Sequence, residues 1–157
     1  MSRRRRTIHK TEKLDGRYGS QVVARLISTV MQGGKKSLAE RIVYTAIEET
    51  RTGTDAVDPL EVLNKAIDNV KPRLEVKSRR VGGATYQVPM EVQPARQLAL
   101  AMRWLVTFAM KRKGVPLKDA LAYELKDASA GQGSAIKKRD DTHKMAQANR
   151  AFAHFRF

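Results

Sequence analysis

Apolar residues recur at helical spacing from Val22: Val22, Val23, Leu26, Ile27, Val30 and Met31 make one stripe, preceded by Ser20 and stopped by Gly33-Gly34. A second stripe, Leu38, Ile42, Val43, Ala46 and Ile47, follows Ser37 and Glu40 at capping-box spacing and ends before Thr52-Gly53-Thr54-Asp55. Asp58-Pro59-Leu60-Glu61 is a third start signal, with an N-cap carboxylate and proline at the first helical position. That helix should run to about Val70, because Pro72 restricts Lys71.

The period then changes from helical to alternating. Leu74, Val76 and Ser78 alternate with Arg73, Glu75, Lys77 and Arg79; beyond Val81-Gly82-Gly83, Tyr86, Val88 and Met90 alternate with Thr85 and Gln87. Two short strands about a Gly-rich turn read as a β-hairpin, which must lean on the helices or on a partner to be stable. Pro94 opens a helix to about Lys113 with Leu98, Ala101, Met102, Leu105, Phe108 and Ala109 on one side and Arg96 and Arg103 on the other. Another helix runs from about Pro116 to Ala128, with Leu117, Ala120, Leu121 and Leu125 inward. The last, roughly Ser134 to Asn149, has a weak apolar stripe and suits a helix held against something charged or left in solvent.

These elements predict a mainly α fold: a single-domain bundle of about six helices with one protruding two-stranded β-hairpin at about residues 73–90. The helical body covers 20–149, a basic arm covers 1–19, and a tail of alternating aromatic and basic groups covers 150–157, both termini being extended. With 157 residues and 41% hydrophobic composition, one modest core is the expectation.

Charge changes the picture more than hydropathy does. Lys and Arg total 31 against 16 acids, a net charge of +15. Such an excess repels itself unless a polyanion is the usual neighbour, so nucleic acid leads, ahead of a membrane surface and an acidic protein. The charge is also segregated: residues 1–36 and 71–113 each hold ten basic residues and two acids, whereas 37–70 holds three and seven. One side therefore faces phosphate and another faces solvent or a basic neighbour.

Chemistry for catalysis is missing. There is no cysteine, and His9, His143 and His154 stand in no metal-binding spacing. Gly33-Gly34-Lys35-Lys36-Ser37 fails as a phosphate loop, because Lys36 separates Lys35 from Ser37; a helix stop followed by a helix start explains it better. Asp140-Asp141, adjacent on a helix, point about 100° apart and suit ion pairing with the preceding cations. The expectation is no enzyme, no cofactor, no metal, no small-molecule substrate and no membrane partner. Apolar runs are too short to span a bilayer and no signal-peptide core follows the arginines, so a cytoplasmic protein is expected, with chloroplast origin left open.

Binding features are stronger. Arg3, Arg4, Arg5, Arg6 and Lys10, with Lys13, form a basic arm that would order on phosphate. Lys77, Arg79 and Arg80 stand near the hairpin tip, more cations than edge protection requires, beside Gly82-Gly83, which permit close backbone approach. Arg96 and Arg103 lack an acidic i+4 partner, which suits either a phosphate-facing surface or a plain solvated face. Lys35, Lys36, Arg73, Lys111, Arg112, Lys137 and Lys138 complete the expected RNA-binding set. Tyr86 and Trp104 are expected to be packed; in the tail, Phe152 docking on the core and Phe155 and Phe157 stacking on bases are both open. Such charges read phosphate position and RNA shape better than base sequence. A DNA-architectural protein with a basic β-ribbon is the main rival.

Three stretches carry a resemblance: Glu75 through Pro89 (EVKSRRVGGATYQVP), Leu100-Ala101-Met102-Arg103-Trp104-Leu105, and Lys137 through Ala146 with Asn149 to His154. With them the chain resembles the family of the seventh small-subunit ribosomal protein. The resemblance implies a structural constituent of the small ribosomal subunit that binds its ribosomal RNA directly and nucleates head assembly. It also implies a place at the subunit interface near the exit-site transfer RNA and the messenger RNA path, in contact with ribosomal proteins nine and eleven. Arg80, Gly82, Gly83, Arg150, Phe155 and Arg156 would lie in that vicinity. The chain departs from the family at Gly16, where proline is usual, in its Phe155-Arg156-Phe157 ending, and over residues 52–57.

Overall fold

The computed structural model describes residues 14–51 and 58–155; the arm (Arg3, Arg4, Arg5, Arg6, Lys10), the 52–57 segment and Arg156 lie outside them. The elements run α1 (Gln21–Val30), α2 (Lys36–Arg51), α3 (Pro59–Val70), β1 (Leu74–Val81), β2 (Ala84–Glu91), α4 (Pro94–Lys111), α5 (Leu117–Ser129) and α6 (Ser134–Ala148), followed by a 3-10 helix, Arg150–Phe155. The mainly α architecture with one hairpin is as expected. The C-terminal segment differs: it is coiled rather than extended, because Phe152 and Phe155 find an aromatic partner on the hairpin.

One core joins all six α-helices. α1 shows what holds them. Ser20 stands at its N-cap but makes no side-chain cap bond, forgoing about 1 kcal/mol. Val23, Leu26, Ile27 and Val30 are buried, and each such side chain contributes about 1.5–3 kcal/mol, so burial decides. Ahead of α1, Asp15 fixes the chain by accepting from the backbone N–H of Arg17 and Tyr18 and from the Tyr44 hydroxyl at 2.6 Å. Burial opposes the Asp15 charge, but the Tyr44 hydroxyl and these backbone N–H groups outweigh it and hold the carboxyl below its ordinary range. The same bond, with burial, pushes the Tyr44 hydroxyl up to about 12.

α2 starts one residue before the expected box, at Lys36, so Ser37 sits inside the first turn and Glu40 pairs with Lys36 at 3.3 Å. α3 follows its signal closely: Asp58 accepts from the Leu60 N–H and Pro59 opens the helix. α5 is the centre of the bundle, packed on α2, α3, α4 and α6. Ala120, Ala122 and Ala128 are buried there, and their small size lets neighbouring backbones approach. Leu117, expected inward, is half-buried at the helix start.

The strands pair antiparallel, Leu74 with Glu91 through Val81 with Ala84. Gly82 and Gly83 have φ of +57° and +90°. That pair of left-handed residues is the two-residue turn whose twist matches the strands; glycine suits both positions, and at Gly83 the larger φ favours it most.

Candidate nucleic-acid interface

The hairpin is anchored at its root and, on one face, through Tyr86. Val88 is buried, while Lys77, Ser78, Arg80, Gly82, Gly83, Ala84, Thr85 and Gln87 are exposed. Its packing partners are α6 and the 3-10 helix. At the root, the Arg73 N–H donates to His143 Nε2 at 3.0 Å and the Val92 N–H donates to the Arg73 carbonyl at 3.0 Å. Because Nε2 accepts, His143 is neutral here with its proton on Nδ1. Burial, then the Arg139 charge, lowers its proton affinity.

Directly paired residues share a face of the ribbon and neighbours along a strand alternate. Lys77 and Arg79 therefore lie on the face of Glu75, Tyr86 and Val88, and Arg80 on the other, with Ser78, Thr85 and Gln87. The three cations are not one cluster. They charge both faces of a ribbon that has no acid between Val76 and Met90.

The cations on the helices divide into paired and unpaired groups. Arg96 is not the free group its helix suggested: Glu75, from β1, accepts from its Nε at 3.0 Å and pairs with Nη2 at 2.9 Å. Glu75 also stands 3.5 Å from Lys77. Lys111 lies 5.3 Å from the Phe108 ring centroid. Arg73, Arg103, Lys137, Lys138 and Arg150 are exposed, and among the described residues none of their side chains has an acidic partner. Lys35 is likewise exposed, beside Lys36 in the α1–α2 turn. Asp140 pairs with Arg139 at 2.6 Å, as the charge pattern implied.

Arg112 serves a different purpose. Its Nη2 meets Glu124 at 2.9 Å and Asp127 at 2.5 Å, and both bonds hold its charge still more firmly than usual. Glu124 is 1% exposed, and its other oxygen accepts from the Ala135 N–H at the start of α6 at 3.0 Å. Gly133, at φ +97°, closes this junction: a Cβ there would stand 3.0 Å from Asp127 Cβ. One guanidinium thus ties the end of α4 to α5, and one carboxylate ties α5 to α6.

Comparison with known proteins decides the family, since residues 2–150 match the family described as ribosomal protein S7p/S5e. The chain belongs to the S7p/S5e family. It is 64% identical over 157 residues, all of both chains, to small ribosomal subunit protein uS7 of Akkermansia muciniphila. It is 56% identical over 155 residues, 98% of this chain and 99% of the relative, to the uS7 of Pseudomonas fluorescens strain Pf0-1. It is 59% identical over 140 residues, 89% of each chain, to the uS7 of a Mycobacterium species, strain KMS.

In this S7p/S5e chain, sequence reasoning overlooked the acidic side of the interface. Glu75 organises Arg96 and Lys77, and Glu124 organises Arg112; neither is near its partner in helical spacing, so no i+4 search finds them. The tail, open to two readings in the sequence, has a definite place in the fold. Tyr86 packs on Phe152 and Phe155 with ring centroids 5.3 and 5.0 Å apart. Trp104 is half-buried against the core. Among the described residues no group of acidic and histidine side chains is placed to hold a metal ion, and no helix is long and apolar enough to cross a membrane.

Proposed function

We propose that this chain is a structural constituent of the small ribosomal subunit that binds its ribosomal RNA and nucleates assembly of the head. The observation that carries this is the outer half of the hairpin: cations on both faces, no acid, and a tip free to be enclosed by RNA. Arg73, Arg103, Lys137, Lys138 and Lys35 extend the phosphate-facing surface over the helices, with the 1–19 arm as a further contact. Arg112 belongs to the ionic junction of the body instead. Family membership and the uS7 relatives support this reading, and the absence of convergent catalytic groups in the sequence favours binding over turnover. The finer placement is part of the same proposal: the hairpin tip (Arg80, Gly82, Gly83) and the Arg150–Phe155 end lie near the exit-site transfer RNA and the messenger RNA path, with proteins nine and eleven as neighbours, in cytoplasmic ribosomes.

Replacing Lys77, Arg79 and Arg80 together by Ala should weaken binding to small-subunit head RNA in a filter assay while the circular dichroism spectrum stays unchanged. Competition then separates RNA from the DNA-architectural rival: structured ribosomal RNA should displace duplex DNA, and the reverse order of affinity would refute the RNA assignment.

A further inference from the structure

The 3-10 helix does more than cover Tyr86. By packing on the hairpin it closes the third side of a cavity of about 490 Å³ whose other sides are the hairpin root and α6. Its floor is apolar: Leu74, Pro89, Ala146 and Ala153. Arg73, Arg150, Gln147, Glu91 and His143 supply the polar groups around it. Arg73 and Arg150 are exposed there, and Glu91 is the one acid of the lining. An apolar slot with a few convergent polar groups is the usual form of a small-ligand site, and this volume lies within the usual range of about 300–1,000 Å³.

We infer that this cleft takes one unpaired nucleotide of a single-stranded RNA segment, its base against Leu74, Pro89, Ala146 and Ala153 and its flanking phosphates at Arg73 and Arg150. Four observations converge on that occupant. The floor is apolar, which suits the face of a base and tolerates any of the four. Two cations at the mouth match the phosphates on either side of a base. The neutral His143, whose Nε2 is occupied by the Arg73 N–H, has only Nδ1–H to give, and Gln147 can both donate and accept; such groups suit the edge of a base better than a second anion. The cleft also adjoins the hairpin root, where Leu74 and Pro89 line it. A paired base could not enter, because its edge and faces are taken up in the helix; the site is therefore specific for unpaired RNA, where the outer hairpin reads phosphate alone. The inference rests on the RNA-binding role proposed above.

The two can fail separately. The probes are a short single-stranded RNA of mixed sequence, the same strand with abasic riboses, and a folded small-subunit head RNA. Ala153→Trp fills the cleft from an exposed position, and Gln147→Ala removes a polar edge at an exposed helical site where alanine favours the fold. Ala153→Trp is expected to weaken the single strand by about tenfold or more, the scale of stacking one base, and Gln147→Ala by about threefold. Both should leave the folded head RNA within about twofold. The abasic strand should bind the parent protein about as weakly as the intact strand binds Ala153→Trp. Unchanged affinity of Ala153→Trp for the single strand, or equal binding of intact and abasic strands by the parent protein, overturns the cleft while leaving the hairpin role standing. Loss of head RNA binding by Gln147→Ala also overturns it, since the cleft would then belong to the folded-RNA surface. If the hairpin triple variant alone loses nothing toward head RNA, the broader role fails instead.

Discussion

At the junction of α4, α5 and α6, Arg112 faces Glu124 and Asp127; along the outer hairpin, Lys77, Arg79 and Arg80 occupy a ribbon with no acidic residue from Val76 to Met90. Both regions are rich in cations, and the location of the carboxylates separates their roles. At the junction a buried acid has no water to solvate it, so the arginine and the Ala135 N–H are required for the body to close. On the ribbon, acids are confined to the root, where Glu75 positions Arg96 and leaves the tip positive. A basic residue in this protein is therefore structural when a buried carboxylate needs it, whereas Arg80, exposed beside the turn, has no described acid paired with it.

The comparison breaks most sharply at Glu124. Glu124→Ala leaves the buried Ala135 N–H without its acceptor and Arg112 with Asp127 alone, and should cost about 1–3 kcal/mol, read as a fall in urea midpoint. The affinity of the folded fraction for head RNA should hold. A loss below about 1 kcal/mol would deny the junction its role. Tyr44→Phe should cost about 1–2 kcal/mol by removing the hydroxyl from Asp15, again without effect on RNA affinity, because this pair ties the segment before α1 to α2 and includes no residue of the hairpin.

Glu75 sharpens the distinction in the opposite direction. Glu75→Gln removes the one charge that engages Arg96 and Lys77, so affinity for head RNA at low salt should rise by about two- to fivefold. A fall in affinity would mean that Glu75 holds Arg96 in its productive position rather than occupying it. The smallest effect is expected at His143. Its folded proton affinity is depressed, so the unfolded chain takes up the proton first, near about pH 6.5. The stability linked to His143 is therefore complete above that pH and declines as the pH falls below it. Urea midpoints between about pH 5 and 8 should show this decline in the parent protein, and His143→Leu should flatten it.

Where local periodicity decided the outcome, the sequence was enough. The Asp58-Pro59 start of α3, the Gly82-Gly83 turn and the apolar stripes of α1 and α4 are properties of a few consecutive residues. Contacts distant in sequence were not legible. Arg96 and Glu75 are 21 residues apart, Arg112 and Glu124 are 12, and Arg73 and His143 are 70. The central place of α5 was hidden as well, because its alanines have little hydrophobic weight and signal close packing only after the neighbouring helices are in view. The tail illustrates both limits: its aromatic residues were visible, but their partner Tyr86 lies in another element, and the cleft closed by Arg150 and Ala153 has no sequence signature.

Salt dependence tests the division of cations most directly. Affinity for folded head RNA would be measured across a series of salt concentrations for the parent protein, for Lys77→Ala/Arg79→Ala/Arg80→Ala and for Arg112→Met. Each phosphate that a variant no longer neutralises should flatten the plot of log affinity against log salt by about 0.7–0.9. The hairpin variant should therefore lose about 2–3 from the slope, while Arg112→Met, though less stable, keeps the parent slope. Parallel plots for the parent and the hairpin variant, or a comparable flattening in Arg112→Met, would contradict the assignment.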